Sequence, residues 1–599
     1  MFYKVFQKVM NKCRYIILLL KKKLSAPQFL LLSCVIVGLV VACATVALKI
    51  FVYHLEEFFF VDVKVSQRFW YPPLVCLVGI GLTNILIIKI FKKNFLKGND
   101  TIVYAIAKQN ANLPFSEMYS PLITSGITVS MGGSAGLESP IVAAGAAIGS
   151  NIGRVAYLSK KDKTLLIACG IAAGISTAFS APVAGVLFAV EVLAIDISIA
   201  SFIPLLIAGA LGSIMSQVLL GENILLSFIS MRPFDYSNLH FYILLGVICG
   251  MVSLYYARVF EWMEHQFAKV KSPYLKWLTG SILLGILIIF FPPLFGEGYQ
   301  FIKGLANTHT LAESTRPFYL TYTDNKWILF ATIVVIGLLK VFATGLTLLG
   351  GGNGGSFAPS LFIGGLMGYI LGQFCILTGQ VDVPMANFIV AGMAGMLSGM
   401  FFAPLTAIFL SAELTNGYSL FIPLMLVAAI SFCVVRYFEP LSMEMKKLKI
   451  RTSLNPLDKD HFLLSKLELV SFINGNFPHF FETDIIQDIL PKIEESDQYI
   501  FAVVDKDMKY KGVLFFNTIK HALFESAPEN KQITVEHLMT KIQPLHYKHL
   551  LSDALERFED GKSHTMYLPI IDTDNVWLGF VSKMDILSQY RKEVIGNSY

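Results

Sequence analysis

The residue best placed to do chemistry is Glu138, an ionisable side chain in a glycine-rich, otherwise apolar segment, Gly133-Ser-Ala-Gly136-Leu-Glu138-Ser-Pro140. The segment recurs as Gly352-Asn-Gly-Gly355-Ser-Phe357-Ala-Pro359, at an offset of 219. Each copy is followed by glycines four residues apart: Gly145, Gly149 and Gly153, then Gly364, Gly368 and Gly372. A second motif, Ala181-Pro182 through Gly185 and Phe188 to Glu191, returns as Ala403-Pro404 through Ala407 and Leu410 to Glu413, at an offset of 222. Two motifs repeated in the same order mark a duplicated architecture. Glycine- and proline-broken segments in matching halves point to a site where the halves meet.

In each loop several glycines precede a helix that begins near a proline. Glycine lets backbone amides turn toward a ligand with no Cβ in the way, and proline in the first helical turn costs no hydrogen bond. The resulting helix start offers free N–H groups and the positive end of a dipole, which suits an anion. Two such ends could replace a small anion's hydration shell without a fixed Lys or Arg. A partial charge also releases the ion more readily than a full one. Glu138 has two readings. It is either an N-terminal acid that complements the dipole and faces water, or an anion mimic whose carboxylate occupies the site and leaves it when protonated or displaced. An acid at membrane depth is a functional residue by default. Glu191 and Glu413 read as structural, pairing with backbone groups or Arg. The four-residue glycine spacing alone would suit close helix packing, but that does not account for the loops before it.

Long apolar elements must position these loops. The chain has 599 residues, 55% hydrophobic and 15% charged, far from the composition of a soluble domain. Apolar runs span residues 27–53, 72–91, 164–199, 202–220, 239–258, 274–293, 327–349, 386–412 and 420–437; about 20 such residues cross a bilayer. This composition excludes a secreted disulfide scaffold, a nucleic-acid binder and a disordered chain. The net charge of +6 is local, because the first 23 residues carry seven Lys and Arg and no acid. That pattern, residues 1–26, reads as an amphipathic segment on the lipid surface with a cytoplasmic N-terminus. The eight cysteines form no CxxC and read as small membrane-buried side chains.

Beyond residue 450 the character changes. A charged linker, 451–469, precedes a segment, 470–599, with strand-like runs at 499–504 and 565–571 and helical patterns at 485–495, 551–558 and 583–590. That alternation predicts a soluble α/β appendage.

The ordered set of motifs resembles the CLC family of chloride channels and proton-coupled chloride transporters over about residues 28–450. Gly136-Leu-Glu138-Ser-Pro140 is similar to that family's G-K/R-E-G-P loop, and Gly355-Ser356-Phe357-Ala-Pro359 to its G-x-F-x-P loop. Residues 470–592 resemble a pair of CBS modules, with Gly579-Phe-Val-Ser582-Lys-Met-Asp585 similar to their ribose-binding signature. The matching place in the first module, Gly512 to Thr518, lacks the hydroxyl and the acid. The expected fold is therefore an all-α polytopic membrane domain, 27–450, with two inverted-topology repeats and broken helices, plus a C-terminal α/β CBS-pair domain.

The resemblance implies that Glu138 is the gating glutamate. It implies that the amides of Ser356 and Phe357 bind a central anion, and those of Leu137 and Glu138 an outer one. It also exposes departures. The family's anion-coordinating serine should fall near Lys97-Gly98-Asn99-Asp100, where Lys97, Asn99 or Asp100 takes its place according to register. Its central tyrosine should fall at Glu439–Ser442, which offers Ser442. The internal proton-transfer glutamate aligns with Val192, next to Glu191. Passive conduction and proton-coupled exchange both stay open. The implied partners are chloride or a related small anion, lipid and a second copy of the chain, with both termini cytoplasmic and no nucleic acid. No resident cofactor is implied beyond an adenine nucleotide at Ser582 and Asp585, a pair that also fits a simple helix cap. A CBS-gated divalent-cation channel would need clustered carboxylates, and Glu138, Glu191, Asp196 and Glu413 share no such spacing. A membrane-embedded enzyme finds no HExxH and no cluster among the eleven histidines.

Overall fold

The computed structural model describes residues 21–60, 70–91, 100–193, 199–221, 232–308, 325–379, 383–415, 418–452, 469–525, 533–549, 551–559 and 566–596. The chain divides into two compact units, Met1–Thr452 and Ser453–Tyr599.

The first unit is helical. Its first half holds α1 (Ala26–Phe60), α2 (Tyr71–Ile85), α3 (Asp100–Lys108), α4 (Ser120–Ser130), α5 (Glu138–Val155), α6 (Lys160–Phe179), α7 (Pro182–Leu193) and α8 (Ile199–Leu220). Next come α9 (Leu239–Lys269), α10 (Pro273–Phe290), α11 (Tyr299–Thr308) and α12 (Lys326–Leu349). The second half closes with α13 (Phe357–Leu377), α14 (Met385–Phe401), α15 (Pro404–Leu414), α16 (Phe421–Phe438) and α17 (Met443–Thr452). Among the described residues nine helices are long and apolar enough to span a membrane. Large side chains such as Leu206, Ile214, Leu283, Ile286 and Met425 stay exposed on them, as a lipid-facing surface requires.

The apolar runs 164–199 and 386–412 are each two helices rather than one. α6 ends at Ser180 and α14 at Phe402, both in the left-handed region (φ 55 and 58), and α7 and α15 restart at Pro182 and Pro404. Proline is costly in a helix interior but fits a helix start, so a restart at Pro182 and Pro404 suits these residues. Ser180 and Phe402 are themselves 222 residues apart, as are the glutamates of the repeated motif.

The repeats are joined by reciprocal contacts, as two halves related by a two-fold axis must be. Gly136 N–H donates to Gly355 O (2.9 Å) and Gly355 N–H to Gly136 O (2.8 Å). Thr347 Oγ1 accepts from the amide of Ser134, and Thr128 Oγ1 from that of Asn353, both at 3.0 Å. Gly132 and Gly351, which open the two loops, share a positive φ (95 and 106) that a side chain would strain. α5 meets α6 where Gly145 faces Gly170, and α13 meets α14 where Gly364 faces Gly392. A Cβ on any of the four would lie between 2.1 and 2.5 Å from the partner's carbonyl oxygen.

The second unit carries its own repeat. β1 (His479–Phe481) pairs parallel with β2 (Ile500–Val504), which pairs antiparallel with β3 (Tyr510–Phe515). β4 (Leu545–His546), β5 (Tyr567–Ile571) and β6 (Trp577–Ser582) reproduce that order and pairing, β5 and β6 at an offset of 67 and β4 at 65. α18 (Ile486–Glu494), α19 (Phe516–Glu525) and α20 (Val535–Leu538) accompany the first sheet, α21 (Leu551–Glu559) and α22 (Lys583–Gly596) the second. Both hairpins turn through a left-handed residue, Met508 and Asn575, under an aspartate, Asp505 and Asp572, that accepts backbone amides. The Lys509 amide, first among these, holds the Asp505 carboxyl below its ordinary range. The two sheets share a core of Phe477, Ala502, Val504, Val513, Trp577 and Phe580.

Candidate functional site

Glu138 is the first residue of α5 and is buried at 4% exposure. Its Oε1 accepts a 2.8 Å hydrogen bond from the Tyr299 hydroxyl, at the start of α11. Its Oε2 has no hydrogen-bond partner. A Cβ on Gly136 would lie 2.0 Å from that oxygen and 3.0 Å from the Ala358 nitrogen, so carboxylate, first loop and α13 start share one small volume. The water-facing reading of Glu138 is therefore set aside: the carboxylate is enclosed between the N-termini of α5 and α13. A buried carboxylate oxygen with no partner is costly. Two positive helix ends help offset it, together with the nearby Lys49 ammonium.

The equivalent residue of the second repeat is Phe357, the first residue of α13, packed against Phe179, Phe188 and Phe401 with ring centroids 5.4 to 5.8 Å away. Ser356 is the N-cap of that helix and Leu137 of α5. First-turn amides have no intrahelical acceptor. The Leu137 amide is occupied: it donates to Glu297 Oε1 at 3.2 Å. Glu297, Tyr299 and the fully buried Lys340 belong to this site, although no motif singled them out. Lys340 Nζ, on α12, donates to Gly296 O (2.8 Å) and Leu294 O (3.3 Å) and lies 4.7 Å from the Phe362 ring centroid. The available signal was an acid flanked by glycines, Gly296-Glu297-Gly298, between apolar segments.

The side-chain half of the central position is arranged differently from the expectation. Ser442 Oγ accepts from Met445 N at 3.3 Å and caps α17. Tyr256, on α9, is fully buried, and its hydroxyl faces the side chains of Ser356 and Thr344 without a formed hydrogen bond. Tyr256 also lines a cavity of about 20 Å³, shared with Ser253, Gly399, Met400 and Phe402 and reaching Glu261, Glu439 and Lys446. That volume holds about one water-sized occupant. The ion pair of Lys446 with Glu439 (2.5 Å) marks this end. Lys97, Gly98 and Asn99 lie outside the described residues, and Asp100 begins α3.

Glu191 and Glu413 are structural, and reciprocally so. Glu413 accepts from the amides of Val183 (3.0 Å) and Ala184 (2.9 Å) at the start of α7. Glu191 accepts from Leu405 N (2.9 Å), Thr406 N (2.8 Å) and the Thr406 hydroxyl (2.6 Å) at the start of α15. Val192 beside it is buried and apolar. Gly132 to Gly136 spells G-x-S-x-G, but it follows a helix rather than a strand, so it is no nucleophile elbow. In the second unit Ser582 Oγ accepts from Met584 N (3.2 Å), capping α22, and Asp585 is exposed in its first turn.

Known proteins share the family and the fold of the first unit. The family model described as voltage gated chloride channel matches residues 80–436. A putative chloride channel protein, ClcB-like, from Ralstonia nicotianae is 30% identical over 351 residues, 57% of this chain and 76% of that one. The crystal structure of a slow cyanobacterial Cl⁻/H⁺ antiporter superposes with a TM-score of 0.60 at 22% identity, covering 72% of this chain and 99% of that one. A eukaryotic CLC transporter superposes at 0.59 with 15% identity, covering 93% and 97%.

Proposed function

The chain belongs to the voltage gated chloride channel family, and on that premise we propose that it moves chloride or a similar small anion across a membrane, through a pathway inside each subunit gated by Glu138. The observation that carries this is the convergence of two helix N-termini, α5 and α13, on one buried carboxylate that keeps an oxygen unpartnered. A pocket that holds a carboxylate there without a fixed cation in hydrogen-bond contact also suits a halide, which the same amides can solvate. Glu138 is then a tethered anion that yields to a free one.

The central anion takes the amides of Ser356 and Phe357, and the Tyr256 hydroxyl supplies the side-chain donor. The cavity beside Tyr256 leads from that position toward Glu439 and Lys446, the end we assign to the cytoplasm together with both chain termini. Pairing of two copies, each with its own pathway, is part of the same reading. So is a regulatory CBS pair in the second unit, with an adenine nucleotide at Ser582 and Asp585. Transport rather than enzymatic turnover is the activity proposed. The divalent-cation alternative is not favoured, since Glu191 and Glu413, which a cation would need, are spent on helix N-termini.

The test is flux of purified full-length protein in liposomes. Chloride efflux is expected, and Glu138→Gln or Glu138→Ala changes its gating and removes any proton coupling. The reversal potential under a pH gradient separates exchange, which follows pH, from conduction, which follows chloride alone. No flux of chloride, nitrate or fluoride, with Glu138→Ala indistinguishable from wild type, overturns the assignment.

A further inference from the structure

We propose that Glu297 is a second tethered anion, whose carboxylate fills the outer anion position at the Leu137 amide and must be displaced before a permeant anion binds there. The inference rests on the anion-transport reading above and assigns it a second gate.

Three observations carry it. First, Leu137 is the N-cap of α5, so its amide is one of the free donors at the helix start that the anion is proposed to use, and Glu297 Oε1 already holds it at 3.2 Å. Second, Glu297 as a whole residue is half-buried, whereas Glu138 is buried. Third, the backbone carrying Glu297 is pinned, so displacing its carboxylate is a movement of the side chain alone. Gly296 N–H donates to Gly132 O (3.2 Å), and Gly296 O accepts from Lys340 Nζ (2.8 Å). Gly296 and Gly298 hold positive φ (59 and 90), and a Cβ on Gly298 would lie 2.4 Å from the Phe362 ring. Two residues on, Tyr299 grips Glu138 Oε1, so one short segment engages both carboxylates.

Glu191 and Glu413 show what a purely structural acid looks like here: both oxygens of each are engaged by the helix start it caps. Glu297 gives one oxygen to one amide, at the start of the helix that also carries Glu138. A cap stabilises the fold and leaves anion affinity alone. A tethered anion competes for the site.

Chloride and bromide binding to the full-length protein, measured by calorimetry beside thermal unfolding, separates these roles. Glu297→Gln keeps the shape and an acceptor oxygen but not the charge. Because a charge-assisted hydrogen bond is about twice as strong as a neutral one, the variant should bind bromide roughly tenfold more tightly. Glu297→Asp, one methylene shorter, should shift affinity the same way and serves if the first variant does not fold. Unchanged affinity with a lowered melting temperature makes Glu297 a cap and overturns the inference. The anion-transport reading fails separately, by absence of anion flux in wild type and Glu138→Ala alike.

Discussion

The two broken loops have the same backbone and opposite chemistry. Gly136 and Gly355 hydrogen-bond to each other as equals, yet the residue two positions on is Glu138 in one loop and Phe357 in the other. Phe357 is locked among three phenylalanine rings, whereas Glu138 keeps an unpartnered oxygen and a single tyrosine. A Cβ on Gly136 would strike the Glu138 carboxylate at 2.0 Å, but one on Gly355 would strike Ser139 Oγ at 2.3 Å. The duplication thus supplies two helix ends and a rigid frame, and function enters where the copies differ. Glu297, Tyr299 and Tyr256 all lie outside the repeated motifs and act on only one side of the pair.

If the frame is symmetric, damage to equivalent parts should cost equal amounts. The largest effect belongs to the helix crossings. Gly145→Ala drives a methyl to 2.5 Å from Gly170 O, and Gly364→Ala to 2.4 Å from Gly392 O. Neither carbonyl can move without bending a buried helix, so each variant should lose about 3 kcal/mol, the upper end of overpacking penalties. Thermal unfolding in detergent checks this; a large loss in one half and none in the other would break the symmetry of the frame.

The reciprocal caps allow a finer comparison. Glu413→Gln removes the charge facing two amides, while Glu191→Gln also disturbs the Thr406 hydroxyl. Each should cost about 1–2 kcal/mol from lost charge at a partly buried helix start, with Glu191 the costlier. Melting temperatures should fall in that order while anion affinity stays put, in contrast to Glu297→Gln. A shift in affinity in either variant would mean that these acids reach the pathway.

Much of this was legible in the sequence because the repeat copied it. Offsets of 219 and 222 expose both loops and both capping glutamates, and Glu138 stands out as an acid among glycines. The breaks at Ser180 and Phe402 stay hidden in apolar runs, since left-handed backbone in a serine or phenylalanine leaves no pattern. Tyr256 meets Ser356 only through packing of α9, one hundred residues away in sequence, so spacing cannot reveal it. The expectation for Ser442 followed the family's position, but the start of α17 takes its hydroxyl first. Glu297 carried a visible signal, but a lone acid between glycines reads as an ordinary loop until the Leu137 amide is seen against it.

The second unit repeats the lesson on a smaller scale. Its two halves match at an offset of 67, through paired strands and paired aspartate turns, but Ser582 and Asp585 have Phe515 and Thr518 as their counterparts. Ser582 caps α22 through Met584 N, so Ser582→Ala should cost about 1 kcal/mol of that unit's stability. Asp585 is exposed and makes no such bond, so Asp585→Ala should leave unfolding unmoved. Titrating the full-length protein with AMP, ADP and ATP then sorts the two roles. A ribose held between the hydroxyl and the acid predicts heat that Asp585→Ala abolishes without a change in melting. A flat wild-type titration would leave both residues with the helix start alone. The asymmetry between the modules would then be a difference in capping and not in ligand.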